Sequence, residues 1–148
     1  MKRGMRAVVA VVVAIAATFV AYAVNDTTHA AAETALGPGL VTVNVEIHYS
    51  HFSISTLHVH RGTLVRFLIR NNDPIDHEFI VGDASVHARH EHGTEHVHPP
   101  VPGEVSLQPG QLGETFYEFD QPGAYLFACH FPGHLAYGMK GWVTVDPT

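Results

Sequence analysis

The stretch CHFPGHLAYGMKG, residues 129–141, decides how this chain is read. It holds Cys129, the one cysteine among 148 residues, and places His130, His134 and Met139 close behind it. Pro132, Gly133 and Gly138 interrupt any helical period, so the segment reads as a loop. Upstream, Ala124 to Cys129 reads as a strand, and downstream Gly141 to Val145 reads as another. A loop of this kind can fold back so that thiolate, imidazole and thioether converge. A further ligand has to come from elsewhere in the chain, and His77, just after the loop NNDPID, is the best placed.

Working outward, the rest of the chain alternates with a period of two. Val41, Val43, Val45, Ile47 and Tyr49 interleave with Thr42, Asn44, Glu46, His48 and Ser50, the pattern of a half-buried strand. Further short strands are expected at Leu57 and Val59, Leu64 to Arg70, His77 to Val81, Glu104 to Leu107 and Thr115 to Phe119. Gly, Pro and Asn turns separate them. No segment carries a convincing amphipathic helix period. Seven or eight short strands predict an all-β, antiparallel sandwich, with Trp142 and several Phe and Tyr residues filling its core. About 110 residues suffice for such a core without disulfides.

The N-terminus reads differently. Lys2, Arg3 and Arg6 precede an apolar run from Ala7 to Val24, and Ala21-Tyr22-Ala23 has the small-x-small form of a signal cleavage site. The alanines at 30–32 offer a second site. An uncleaved anchor is the alternative, since the run can just span a bilayer. Either way the basic flank places the rest of the chain outside the cytoplasm: periplasmic, cell-surface or secreted. The expected division is a signal or anchor over 1–23, a linker over 24–39 and a domain over 40–148. Removal of the three basic residues takes the formal charge from −6 to −9, which argues against nucleic acid as a partner. Exported proteins use cysteines in pairs, so a lone one is buried and inert, intermolecular, or a ligand.

Donor chemistry narrows the metal. One Cys and two His could hold zinc, but thioether is a poor zinc ligand, and Cys, two His and a weak axial Met is a blue-copper set. The spacing Cys129-x4-His134-x4-Met139, with His77 upstream after an Asn-rich loop, resembles the cupredoxins over nearly all of residues 40–146. The steps of five look most like rusticyanin among the plastocyanin-, azurin- and rusticyanin-like carriers. The resemblance implies a Greek-key sandwich and one type 1 copper ion, Cu(I)/Cu(II), held by His77, Cys129, His134 and Met139. It implies a monomeric electron carrier rather than an enzyme. It also gives His134 the role of electron port, with Phe131, Pro132, Leu135, Ala136 and Tyr137 forming an apolar patch where donor and acceptor proteins dock. The multicopper oxidases carry His-Cys-His, whereas Ala128 precedes the cysteine here; His130 should face away from the metal. Where many members of the family have Asn or Ser after the first histidine, this chain has Glu78.

Histidine is over-represented, with 13 copies. The tract VHARHEHGTEHVHPP, residues 86–100, carries His87, His90, His92, His96 and His98 and reads as a long loop between strands. Such a tract can bind copper, zinc or nickel, can respond to pH, or can simply be solvated. An extracytoplasmic copper-handling protein built around it is the rival reading. His48, His58 and His60, on predicted strands, are expected to face solvent.

Overall fold

The computed structural model describes residues 34–92 and 101–147. The expected signal at 1–23, most of the linker, and His96 and His98 lie outside the described residues. Nine strands and one helix are present among those described: β1 (Gly39–His48), β2 (His51–Phe52), β3 (Thr56–His60), β4 (Thr63–Asn71), β5 (His77–Gly82), α1 (Ala84–His92), β6 (Glu104–Leu107), β7 (Leu112–Phe119), β8 (Gly123–Ala128) and β9 (Lys140–Asp146).

The strands form two sheets, ordered β2-β1-β4-β7 and β3-β9-β8-β5-β6. Inward residues of both make one core: Val43, Val45 and Ile47 from β1, Val65, Phe67 and Ile69 from β4, Phe79 from β5, Phe127 from β8 and Val143 from β9. Alternation along β1 and β4 therefore does what the sequence pattern implied, turning every second side chain into the sandwich. Phe79 and Phe127 stack with ring centroids 5.5 Å apart, and Phe52 of β2 meets both edge-on.

Four expectations change. The sheets are mixed, because β1 runs parallel to β4 and β3 parallel to β9. Parallel neighbours need a crossover, and β3, lying between β1 and β4 in sequence, sits in the other sheet. Local alternation carries no information about that choice. Trp142 is not core: on β9 it is 47% exposed, while Gly141, Val143 and Val145 take the inward positions. Tyr49 is also outside the core, because β1 ends at His48 and Tyr49 turns with φ 52°.

The fourth change is the helix. Asp83 caps it, its Oδ1 accepting from the N–H groups of Ser85 and Val86 and from the Ser85 hydroxyl. The side chains that α1 turns inward are Val86, His87 and His90, spaced at i, i+1 and i+4. Its inner face is largely histidine, so a search for an apolar stripe cannot find it. Of the strand histidines, His48 is exposed, whereas His58 and His60 are half-buried.

Candidate metal centre

His77, Cys129 and His134 come together at one end of the sandwich, with one donor atom from each lying within 4.8 Å of the others. His77 opens β5, an interior strand between β8 and β6 that is buried along its whole length. Cys129 follows immediately on β8, which pairs antiparallel with β5. Thus two neighbouring strands deliver the imidazole and the thiol to the same end. His134 arrives on the loop. Its N–H donates to the Phe131 carbonyl at 2.9 Å, and the N–H of Tyr137 donates to Gly133 at 2.9 Å, so the chain curls in successive turns. Gly133, at φ +87°, and Gly138, at φ +95°, adopt the left-handed conformation these turns require.

Nδ1 of His134 lies 3.2 Å from Sγ of Cys129, and the His77 and His134 rings are 4.8 Å apart. Cys129 and His77 are fully buried, while His134 is half-buried. Nδ1 of His77 is buried without a hydrogen-bond partner. An unsatisfied buried imidazole nitrogen costs the free energy of its lost hydration, and a metal ion facing Cys129 and His134 would satisfy it. The donor set and its placement fit a metal.

The electrostatics fit as well. Burial pushes the Cys129 thiol up to about 12; the backbone N–H groups of Glu78 and Phe131 oppose this, and the Glu78 carboxylate reinforces it. A metal must therefore displace a tightly held proton. Burial, and next the nearby His77, lower the pKa of His134 and favour the neutral imidazole that can coordinate.

Met139, the remaining expected ligand, is fully buried in the core just before β9. Its N–H donates to the His134 carbonyl at 3.0 Å, which fastens it to the same loop. Around His134 the flanking residues divide. Phe131 packs on the core with its ring 6.0 Å from that of His134, Leu135 is half-buried, Pro132 and Ala136 are exposed, and Tyr137 is 80% exposed.

Two residues with no assigned role in the sequence acquire contacts. Glu78 is 2% exposed, and its Oε1 accepts the His130 N–H at 2.6 Å, linking β5 to the residue after the cysteine. His130 turns its ring toward α1, where its Nε2 is 2.8 Å from Nδ1 of His87 and its ring stacks on His90 at 5.9 Å. His87 Nε2 donates to the Leu126 carbonyl and His90 Nε2 bonds Glu104, so part of the histidine tract is anchored. Asp73, which no motif marked, bonds Nε2 of His77. Its signal in the sequence was its place four residues before a histidine, in a loop rich in turn formers.

Comparison with known proteins agrees with this arrangement. A family model described as a cupredoxin-like domain matches residues 11–145. The chain is 36% identical over 97 residues to the copper-resistant cuproprotein CopI of Rubrivivax gelatinosus, covering 64% of this chain and 59% of that protein. It is 31% identical over 111 residues to auracyanin-B of Chloroflexus aurantiacus, covering 65% and 47%. The chain thus spans about half to three fifths of the length of these two relatives. Among solved structures, reduced auracyanin from Roseiflexus castenholzii superposes with a TM-score of 0.61 at 22% identity, over 77% of this chain and 100% of that one, a likeness of fold.

Proposed function

Because this chain belongs to the family of cupredoxin-like domains and its cofactor is copper, we propose that it is an exported carrier of single electrons. The observation that carries this reading is the convergence of buried His77 and Cys129 with half-buried His134 on a loop with exposed apolar neighbours. His77, Cys129 and His134 would hold the ion, and Met139 would add a fourth, weaker donor. Copper supplies a one-electron couple there. The protein's part is to keep the donors in place, exclude water from two of them, and bring one imidazole to the surface. His134 is that outlet. Pro132, Ala136 and Tyr137 around it offer partners a small surface with few charges, suited to brief docking. No bond chemistry is assigned to the protein. The basic and apolar N-terminal sequence supports export, with the chain released or tethered.

A second reading has its own support. His87, His90 and His130 lie together beside Glu104, and the Rubrivivax relative is named for copper resistance. In that reading the histidine tract collects copper and the redox couple is secondary.

Loading the purified protein with Cu(II) separates the two. A single ion per chain with intense visible thiolate-to-copper absorption, lost in Cys129→Ser, supports the carrier. Several ions per chain, with weak absorption that survives Cys129→Ser, support copper handling.

A further inference from the structure

The carboxylate of Asp73 is 6% exposed and is saturated with donors. Its Oδ1 accepts the Tyr49 N–H at 2.7 Å, and its Oδ2 accepts the Ser50 N–H at 2.7 Å and lies 2.9 Å from His77 Nε2. Tyr49 and Ser50, at φ 52° and 54°, form the left-handed turn between β1 and β2. Asp73 is itself held: its N–H donates to Asn71 Oδ1 at 3.0 Å, and Asn71 Nδ2 donates to the carbonyls of Ile75, Leu107 and Gln108. The turn, the end of β4 and the start of β5 are thus tied through one carboxylate.

A carboxylate cannot donate, so Nε2 of a neutral His77 must carry the proton in this bond. That leaves Nδ1, buried without a partner, as the lone-pair nitrogen available to a metal shared with Cys129 and His134. We propose that Asp73 is the positioning residue of the copper site, fixing the tautomer and ring plane of His77 and placing a buried negative charge behind that ligand. The inference rests on the copper reading above only for its effect on the metal.

The chemistry follows that of other metal-bound histidines, where a carboxylate on the far nitrogen orients the ring and raises its basicity. Negative charge behind the ligand stabilises Cu(II) more than Cu(I), so Asp73 lowers the reduction potential. The Tyr49 and Ser50 N–H groups and His77 Nε2 all present donors to its two oxygens, which favours the ionised carboxylate. No other residue replaces it neatly. In Asp73→Asn, the amide NH2 must face either the Tyr49 N–H or the Ser50 and His77 donors.

The test begins with metal-free wild type at a pH of about 8, above the ordinary imidazole range. Long-range nitrogen–proton NMR is expected to place the His77 proton on Nε2; a proton on Nδ1 overturns the proposal. This measurement needs neither copper nor a variant. In Asp73→Asn, Cu(II) affinity is expected to fall about 10- to 100-fold. The potential should rise by about 59 mV for each tenfold loss of Cu(II) relative to Cu(I) binding. An Asp73→Asn protein that loads copper at an unchanged or lower potential overturns the electrostatic role. Wild type that develops no thiolate-to-copper band sinks the copper-carrier reading instead, and the tautomer alone then decides the role of Asp73.

Discussion

The backbone N–H of Cys129 donates to the carbonyl of Met139 across 3.2 Å. The loop that carries His134 is therefore closed at its base by its own first and last ligand candidates, through a bond between backbone atoms alone. Closure of a pre-turned loop leaves little ordering entropy to be supplied on metal binding.

Gly133 tests this preorganisation. Its φ is +87°, and a Cβ there would lie 3.0 Å from Cε2 of the Tyr137 ring. Gly133→Ala is expected to cost about 1–2 kcal/mol from the left-handed backbone alone. Thermal melting of the metal-free protein should show a drop of several degrees, and copper should bind more weakly. An unchanged melting point would mean the turns relax without loss.

Met139 separates packing from ligation. Met139→Leu nearly conserves volume and should cost less than about 1.5 kcal/mol of stability, whereas Met139→Ala should cost about 2–5 kcal/mol. If the thioether donates to Cu(II), both variants lose that donation and both raise the reduction potential. Voltammetry of the leucine variant decides: a potential equal to wild type would make Met139 a core residue only.

The Cys129 thiol predicts two pH effects. Its pKa of about 12 exceeds that of an unfolded thiol near 9, so above pH 9 the folded state retains a proton that the unfolded chain releases. Metal-free stability should then fall with rising pH by up to about 1.4 kcal/mol per unit until about pH 12. Below that window copper uptake displaces the proton, so apparent affinity should rise by up to about tenfold per pH unit. Denaturant melts across alkaline pH, and competition titrations near neutrality, read the two slopes. Flat profiles would mean the thiol is already ionised.

His87 works in the opposite direction. Burial lowers its pKa, so on acidification the unfolded chain takes up a proton before the folded one does. Metal-free stability should fall as pH drops below the ordinary imidazole value of about 6.5. His130, depressed to about 4 chiefly by burial and next by His87 and His90, adds to the same slope. His87→Gln should flatten the acid limb, measured as the denaturation midpoint against pH. A variant with the wild-type acid limb would show that His87 does not contribute to it.

Much of the site was legible because its residues sit where local pattern changes. His77 begins a strand after a turn-rich loop, Cys129 directly follows one, and Met139 precedes another. Spacing and donor softness then pointed to copper. Asp73 was not legible, since its role depends on the β1–β2 turn more than twenty residues earlier in sequence meeting the β4–β5 loop. Nor was the partnership of His130 with His87, 43 positions apart, which needs the helix to lie against β5 and β8. Trp142 misled because size suggests burial while strand phase, set by Val143 and Val145, turned it outward.

By itself the sequence determined the strand-rich character, the inward phase of β1 and β4, and a set of soft and borderline candidate ligands around one unpaired cysteine. Those properties are local: a period of two, turn residues and donor chemistry act over a few positions. Only the tertiary structure decided which strands lie side by side, that β1 and β3 take parallel neighbours, and that His77 reaches Cys129 and His134 with Nδ1 free. Pairing is set by non-local burial and backbone hydrogen bonding, for which many registers of similar local pattern compete. The bond from His77 to Asp73, which leaves Nδ1 as the free nitrogen, exists only once those strands and turns have met.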